Sequence, residues 1–378
     1  MTAPNGPGYP DSYYVATAKG VAERPALDAD LTADVCVIGG GFTGLSAALN
    51  LAEIGMDVVL LEAERIGFGA SGRCGGLIGS GQRLDVLEVE EQFGLERSRQ
   101  LWTFAEEAKQ EIRDRVAKHS IPCDLQDGQL VGVHKRAYMG WPQEMADALT
   151  DRYEYPFCMP LDADETRKYV AARGYYEAFY DPQAMTVHPL NYALGLANAA
   201  DAAGVRIFEN SRVTGYTRTD PAVVSTSTGS VKAAHIVLGC NGYLGDLEPR
   251  SAGQIMPINN FMLATEPLED ERARELINGR FGVHDTRFVV NYYRLSDDNR
   301  LLFGGGHVVL FDQPGIGDVA KMVGQRRRRD IDAPLNLADR HAGGPGTDQH
   351  AQDRQSRGCA NGREAPRGRF DIEWWPRH

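Results

Sequence analysis

Apolar and polar positions within residues 34–62 predict a strand, a helix and a second strand in close succession. Residues 34–38 form a short apolar run, and residues 57–61 form another. Between these runs, apolar residues recur at the spacing of one helix face and stop before Gly55, a typical helix end. These helix-face positions are Leu45, Ala48, Leu49 and Ala52. The pattern therefore predicts a βαβ unit.

The rest of the chain alternates between helical and strand-like patterns. Residues 86–120 have the period of one or two amphipathic helices, and residues 189–203 form an Ala- and Leu-rich helical stretch ending at Gly204. Short strand-like runs separated by turns dominate residues 127–180. Further strands are predicted at 205–208, 233–238, 261–266, 288–294 and 300–303. An α/β fold with two domains follows from this alternation.

Three glycines follow the first predicted strand, at the spacing of a dinucleotide site. Gly39 allows a sharp turn, Gly41 lets the backbone approach a pyrophosphate, and Gly44 lets the next helix pack closely on the sheet. The helix start at Thr43 offers N–H groups to phosphates. About 20 residues later, Glu62 ends the second strand, where an acid binds ribose hydroxyls and disfavours a 2′-phosphate. The motif predicts FAD or NAD.

A second run of small residues, at 67–76, distinguishes these two cofactors. Its backbone N–H groups can surround an anion or a carbonyl-bearing ring, and Ser71 and Arg73 add side-chain donors. An extended FAD needs a second cradle beyond its adenosine, whereas a nicotinamide enzyme has no evident need for one. The run favours FAD, and a flexible glycine-rich loop is the alternative.

The stretch Asp34–Gly76 resembles the amino-terminal part of D-amino-acid-oxidase-type flavoproteins, the group that includes glycine and sarcosine oxidases. The residues that carry the resemblance are the glycine motif and the block Glu62–Gly76. Residues 12–14 and 23–27 also resemble the leader of one subgroup, the γ-glutamylputrescine oxidoreductases. The likeness runs from about Ser12 to Gly306. It implies a glutathione-reductase-like architecture, with a Rossmann-like FAD-binding domain and an interleaved antiparallel-sheet substrate domain.

On this basis the chain is divided into discontinuous domains. Residues 30–85 and 181–250 are predicted to form the FAD-binding domain, and residues 86–180 and 251–310 the substrate domain. Residues 1–29 are a leader segment.

The resemblance also implies which residues contact FAD. Val213 and Gly242 match positions on nucleotide-facing strands of the family, and Cys74 stands where we expect Asn. The predicted FAD contacts are Gly39, Gly41, Phe42, Thr43, Gly44, Glu62, Ala63, Gly69, Ala70, Ser71, Gly72, Arg73, Cys74, Gly75, Val213 and Gly242.

A predicted hairpin supplies the candidate substrate residues. In its first strand Tyr292 and Arg294 share one face, and Tyr293 points to the other. An arginine holds a carboxylate in a two-pronged pair, and a tyrosine stacks on an amine or hydrogen-bonds to it. Which face lines the flavin stays open, and cross-strand pairing on an exposed hairpin is an equal alternative. His188, just before Pro189 at a helix start, is predicted to cap or pack rather than to act as a base.

Composition narrows the class of protein. The net charge of −12 gives no support to a nucleic-acid partner. The sequence has no signal peptide and no apolar run long enough to cross a bilayer, so a cytoplasmic protein without membrane attachment is expected. Six cysteines form no close pairs, which predicts neither a metal site nor a disulfide framework.

The end of the chain has a different character. Residues 311–378 are rich in Arg, Gly, Asp and Gln, with few aliphatic residues, so they are predicted to be disordered. The resembled family carries a further strand, a glycine-rich flavin contact and a closing helix here. We hypothesise that a truncation or a reading-frame change has replaced the native end, which sequencing of the locus tests. A natural low-complexity tail is the alternative.

The resemblance implies oxidation of an amine C–N bond by hydride transfer to flavin, with dioxygen as the electron acceptor. The implied substrate is γ-glutamylputrescine or a related small amine or amino acid. Two alternatives stay open: a catalytically incompetent fragment that binds FAD weakly or not at all, and an NAD-linked dehydrogenase.

Overall fold

The computed structural model describes residues 8–255, 257 and 259–308. The strands of this part of the chain are β1 (Asp30–Ile38), β2 (Val58–Leu61), β3 (Leu77–Ile78), β4 (Gln126–Val133), β5 (Met159–Leu161), β6 (Glu177–Thr186), β7 (Arg206–Phe208), β8 (Gly215–Tyr216), β9 (Ala222–Ser225), β10 (Ser230–Leu238), β11 (Asn259–Ala264), β12 (Gly282–Asp285), β13 (Tyr292–Leu295) and β14 (Leu301–Val308). Its α-helices are α1 (Tyr13–Ala16), α2 (Phe42–Glu53), α3 (Val86–Phe93), α4 (Leu95–Lys118), α5 (Trp141–Tyr153), α6 (Ala163–Tyr169), α7 (Pro189–Ala202), α8 (Pro249–Ala252) and α9 (Asp270–Leu276). The predictions for residues 311–378 lie outside the described residues.

The predicted βαβ unit is confirmed and belongs to a six-stranded sheet. The strand order is β7-β2-β1-β10-β9-β8, and the first four strands are parallel. Both faces of the parallel part are covered, which explains why its strands are almost wholly apolar. Val37 lies in the core cluster that includes residues of α2 and α7, and Cys36 lies in a cluster on the other face. The predicted α/β fold with a Rossmann-like sheet is confirmed.

The prediction of a buried strand at 233–238 is only half right. β10 pairs with β1 from Ser230 to Leu238, but on its other edge β9 pairs only with residues 230–233. No described strand pairs with that edge of residues 234–238, and Leu238 is 36% exposed. The carboxyl half of β10 is therefore apolar but incompletely covered within the described part of the chain.

A second sheet of eight strands is largely antiparallel. Its order is β11-β14-β13-β12-β4-β6-β3, with β5 beside β6, and the β12–β4 pair is parallel. Its strands come from residues 77–186 and 259–308, on either side of the second stretch of the first sheet. The interleaved architecture thus has one sheet for each predicted domain, while the domain bounds themselves stay predictions.

Two stretches differ from their predicted form. Residues 127–180 contain α5 and α6 as well as strands, because Pro142 at the start of α5 and a capping box at Asp162 and Glu165 favour helices. The predicted strand at 288–294 begins only at Tyr292, and Phe288 is 90% exposed. Residues 86–120 form two helices, as the period allowed. None of the described helices has the length and apolarity needed to cross a membrane.

The described part of the leader is attached to the first sheet's helix layer. Tyr14 of α1 is buried, and the backbone amide of Lys19 donates to Asn191 Oδ1 of α7 at 2.8 Å. Further along, Arg24 pairs with Asp201 at 2.6 Å. The leader therefore runs along α7 rather than standing apart.

Candidate functional site

At the end of β1, the first glycine segment passes very close to the backbone of Gly239. Gly39 has a φ of +108°, which favours glycine, and a Cβ on it would lie 2.7 Å from the carbonyl oxygen of Gly239. A Cβ on Gly44 would overlap the carbonyl oxygen of Gly39. The sharp turn and the close packing of α2 predicted for these glycines are confirmed as conformational roles.

The start of α2 has no side-chain cap of its own. Gly41 is the N-cap residue and offers no side-chain acceptor to the first turn. The amide of Phe42 donates to Ser71 Oγ at 3.0 Å, and Thr43 is exposed beside it. A helix start whose N-cap residue is glycine suits a phosphate group, because its N–H donors and the positive end of the helix dipole point toward the space where that group would lie.

The second glycine-rich segment packs directly against the first. The amide of Gly67 donates to the carbonyl oxygen of Gly40 at 2.9 Å. A short 3₁₀ turn at Ala70–Gly72 then brings Ser71 Oγ within 2.8 Å of where a Cβ on Gly41 would lie. The two segments that the sequence predicts to hold one FAD are thus brought together. Their lack of side chains fits the close approach that an extended dinucleotide needs.

Glu62 lies at the first glycine turn. Its Oε2 accepts from the amide of Gly40 at 2.6 Å, and its Oε1 accepts from the amide of Glu64 at 2.9 Å. Burial raises the pKa of this carboxyl, although those two backbone N–H groups act in the opposite direction. Ala63 follows it in the same loop, where the amide of Ser211 donates to the carbonyl oxygen of Glu62. Each carboxylate oxygen keeps a further lone pair for a ribose hydroxyl.

Tyr243 is a neighbour of this segment that the sequence did not predict. A Cβ on Gly69 would lie 3.0 Å from its ring. The Arg73 guanidinium donates to the Tyr243 hydroxyl at 2.9 Å and lies over the Phe68 ring at 5.3 Å. Arg73 is therefore held between two aromatic rings beside the second glycine-rich segment. The available signal is weak: Tyr243 directly follows the predicted contact Gly242.

The strand β10 meets the first glycine segment through Gly239. A Cβ on Gly239 would lie 3.0 Å from the amide nitrogen of Gly44, whereas Gly242 has only Pro257 near it, at 3.9 Å. Gly239 is therefore a close neighbour of the first glycine segment that the sequence did not predict, and the FAD contact at Gly242 stays a prediction. Val213 lies in the connection before β8 rather than within a strand, and packs in the same apolar cluster as Cys240.

The carboxyl end of the second segment contacts β13. A Cβ on Gly75 would lie 2.7 Å from the Tyr292 ring, and the Arg294 Nε donates to the carbonyl oxygen of Gly75 at 3.0 Å. Burial raises the pKa of the Cys74 thiol, so it stays protonated near neutral pH. Of the two faces of β13, the one that carries Tyr292 and Arg294 therefore lies against the second glycine-rich segment.

Tyr293 is corrected as a substrate candidate. It lies on the opposite face of β13, is 5% exposed, and stacks on Phe303 with ring centroids 6.0 Å apart. Its hydroxyl group donates to the hydroxyl oxygen of Tyr175 at 3.4 Å. Because that face forms the core of the second sheet, Tyr293 packs there rather than near the glycine-rich segment.

His188 has the capping role predicted for it. Its Nδ1 accepts from the amide of Asn191 at the start of α7, at 3.1 Å, and its Nε2 is 2.9 Å from Thr17 Oγ1. Burial, assisted by the Arg294 charge, lowers the pKa of His188 to about 4. It is therefore neutral at pH 7, as an acceptor at a helix start must be.

Comparison with known proteins identifies the family of the chain. A family model described as FAD dependent oxidoreductase, the DAO family, matches residues 34–353. Gamma-glutamylputrescine oxidoreductase of Escherichia coli is 40% identical over 313 residues, which are 82% of this chain and 73% of that protein.

Solved structures show the same fold. Glycine oxidase from Bacillus cereus superposes with a TM-score of 0.59 at 19% identity, covering 78% of this chain and 77% of that one. L-Amino acid deaminase from Proteus myxofaciens, in complex with anthranilate, gives 0.57 at 23% identity, covering 76% and 61%.

Proposed function

Because the chain belongs to the DAO family of FAD-dependent oxidoreductases, which act on amines or amino acids, we propose that its substrate is γ-glutamylputrescine or a closely similar amine. The proposed electron acceptor is dioxygen. FAD is the family's cofactor, so the open choice between FAD and NAD is resolved in favour of FAD.

The observation that carries the proposed FAD site is the contact between the two glycine-rich segments. Phe42 and Gly40 of the first segment hydrogen-bond to Ser71 and Gly67 of the second. A single long nucleotide that crosses both segments meets backbone N–H groups at one and, at the other, a surface made mostly of glycine and other small residues. Glu62 is the proposed acceptor for the ribose hydroxyls, at the turn where the first segment begins.

FAD supplies the chemistry, since its flavin accepts the two electrons and the hydrogen released from the amine carbon. The protein supplies position and electrostatics. Tyr292 is the proposed contact for the amine, because its ring lies beside Gly75 and also beside Gly304 on the neighbouring strand β14. Arg294 is a positioning residue: it donates to the carbonyl oxygens of Gly75 and Val187, at 3.0 and 2.9 Å, and so holds the second segment onto the start of α7.

The proposed substrate rests on the 40% identity with the Escherichia coli gamma-glutamylputrescine oxidoreductase across 82% of this chain. The leader supports it too, because residues 12–14 and 23–27 resemble that subgroup and the leader is packed along α7. Glycine, sarcosine and D-amino acids are the competing substrates within the same family.

The test is anaerobic reduction of the purified full chain. We expect a yellow protein whose visible flavin absorbance bleaches on adding γ-glutamylputrescine. Putrescine, glycine, sarcosine and D-alanine serve as matched competitors. Re-entry of air then restores the absorbance and releases peroxide if dioxygen is the acceptor.

Each other outcome has a defined meaning. Bleaching by glycine or sarcosine alone contradicts the proposed substrate and keeps the family activity. Bleaching that air does not reverse contradicts dioxygen as the acceptor. A folded protein that retains no flavin after reconstitution supports the alternative of an incompetent fragment.

A further inference from the structure

A second polar cavity lies where the leader, the start of α7 and the β13–β14 hairpin meet. Its volume is about 250 Å³. The volume per molecule of liquid water is about 30 Å³, so the cavity has room for a small organic molecule but not for a nucleotide. Arg294 lines this cavity and also contacts Gly75 of the proposed FAD site. None of the predicted FAD contacts themselves lines the cavity.

Arg294 is a buried cation without a carboxylate partner. It is 3% exposed, it donates to the carbonyl oxygens of Gly75, Val187 and Leu295, and the buried Tyr14 hydroxyl group lies next to its guanidinium. In the described part of the chain no acidic side chain forms an ion pair with it. A buried charge with no counter-charge is costly, and its guanidinium has five N–H donors, of which these bonds use three. An anion in the cavity would supply both the missing charge and the missing acceptor.

Asn191 is a second unsatisfied donor in the same cavity. It is 2% exposed, and its Oδ1 accepts from the amide of Lys19 at 2.8 Å. Its Nδ2 makes no hydrogen bond with any described residue, although the side chain lines the cavity. The fixed Oδ1 contact sets which end of the amide accepts and leaves the Nδ2 donor available. A nearly buried amide held in this way is a preformed donor rather than a mobile surface group.

The other charged groups of the lining complete the pattern. Lys19 is exposed at the cavity and forms no ion pair within the described residues. Asp298 and Asp124 are already paired, with Arg300 at 2.7 Å and Arg280 at 2.6 Å.

Asp297 and His188 are the other lining residues that bear on the charge of the cavity. Asp297 is also ion-paired, through Oδ1 with Arg280 at 3.1 Å, but its Oδ2 has no hydrogen-bond partner among the described residues. His188 lines the cavity in its neutral form and adds no charge. The lining thus offers unsatisfied cationic and amide donors together with one available carboxylate oxygen.

We propose that this cavity binds a small zwitterionic amino acid, whose carboxylate is held by Arg294, Asn191 and Lys19 and whose ammonium group is held by Asp297. The site does not rest on the proposed function, because none of its contacts requires flavin. It adds a ligand site next to the one residue, Arg294, that also holds the second glycine-rich segment.

The experiment uses three ligands of similar shape that differ only in charge. These are 2-aminoisobutyrate (zwitterion), pivalate (carboxylate only) and tert-butylamine (ammonium only). In 2-aminoisobutyrate and tert-butylamine the carbon that bears nitrogen has no hydrogen, and pivalate has no nitrogen. None of the three can therefore be oxidised by hydride loss at the flavin. Binding to the flavin-loaded full chain is measured by calorimetry and saturation-transfer NMR, with dissociation constants expected on the order of millimolar.

We expect 2-aminoisobutyrate to bind tightest, pivalate roughly threefold more weakly because Asp297 is a surface charge, and tert-butylamine weakest because it has no carboxylate. Asn191→Asp keeps a side-chain oxygen that accepts from the Lys19 backbone amide, but it replaces the Nδ2 donor with a negative charge. It should weaken 2-aminoisobutyrate binding at least about tenfold. Lys19→Glu, at an exposed position, should weaken it in the same direction. Lys232→Glu is the matched control, since Lys232 is an exposed lysine on β10.

Unchanged affinity in both Asn191→Asp and Lys19→Glu would overturn the site. So would absence of 2-aminoisobutyrate binding to the unmodified chain. Flavin reduction by amines is measured separately in the same variants. Its loss bears on the proposed function, whereas loss of 2-aminoisobutyrate binding bears only on this cavity.

Discussion

The backbone amide of Phe42 donates to Ser71 Oγ across 3.0 Å and so joins the start of α2 to the second glycine-rich segment. The contact ties two segments about 30 residues apart into one surface, a separation whose closure costs conformational entropy. It also uses the first N–H of the helix, which leaves the following N–H groups of the turn for a phosphate. The bond therefore serves both the fold and the proposed FAD site.

Replacing Ser71 by alanine tests this contact. Ser71→Ala removes the acceptor for Phe42 and frees the second segment to move, so we expect FAD to bind roughly fivefold more weakly. Quenching of flavin fluorescence on titration measures the change. Ser230→Ala is the control, because the Ser230 hydroxyl makes a surface bond to Asp30 on the same sheet. Equal FAD affinity in Ser71→Ala and the unmodified chain would contradict the role assigned to Ser71.

Gly44 should tolerate no side chain at all. Gly44→Ala would place a methyl group onto the carbonyl oxygen of Gly39, a backbone atom that cannot rotate away. We expect a loss of about 3 kcal/mol or more in the free energy of unfolding, measured by urea denaturation. Gly174→Ala is the matched control, since a Cβ there meets nothing within 4 Å. A stable Gly44→Ala protein would mean that α2 and β1 lie further apart than described.

FAD affinity should depend on pH through Glu62. Burial raises the pKa of the free carboxyl above its ordinary 4.5. Ribose hydroxyls donate to the charged form and lower that pKa on binding, so binding releases a proton, and affinity rises with pH up to the raised pKa of the free carboxyl and levels off above it. Glu62→Gln cannot titrate and should give a flatter profile with weaker binding at neutral pH. Titrations of FAD between pH 5 and 8 decide this, and identical slopes for the two proteins would rule it out.

His188 should make stability fall in mild acid. Its folded pKa of about 4 lies below the ordinary 6.5, so the unfolded chain takes up the proton first. Its contribution is present above pH 6.5, is lost as pH falls toward 4, and amounts to about 3 kcal/mol. Urea denaturation at several pH values measures it. His188→Asn keeps an acceptor for the Asn191 amide and should remove this part of the pH dependence; an unchanged slope would contradict the neutral cap.

Local rules were enough for the βαβ unit and for the positions of its turn, its helix packing point and its strand-end acid. Gly39, Gly44 and Glu62 occupy the turn, the helix packing point and the strand end that their spacing predicted. The hypothesis that one ligand spans both segments led us to expect them close together, whereas the bond between Ser71 and Phe42 was not predicted. The predicted cap at His188 also needed only its position before Pro189.

The missed residues depend on long-range pairing. Gly239 reaches the first glycine segment because Ile38 lies beside Leu238 in the parallel register, which no local pattern reveals. Tyr243 and the cavity at Arg294 likewise require segments far apart in sequence. For Tyr293, alternation gave the two faces of the strand correctly but could not say which face the core would cover.

The same parallel register has a consequence for how the chain is made. β1 is complete by Ile38, but its neighbour β10 ends only at Leu238, with half of the strands of the second sheet encoded between them. At ribosomal rates, the roughly 200 intervening residues take about 10 to 40 seconds to synthesise. During that time the inner edge of β1 has no β10 strand to pair with, so the nascent chain is a natural client for chaperones that hold exposed strands.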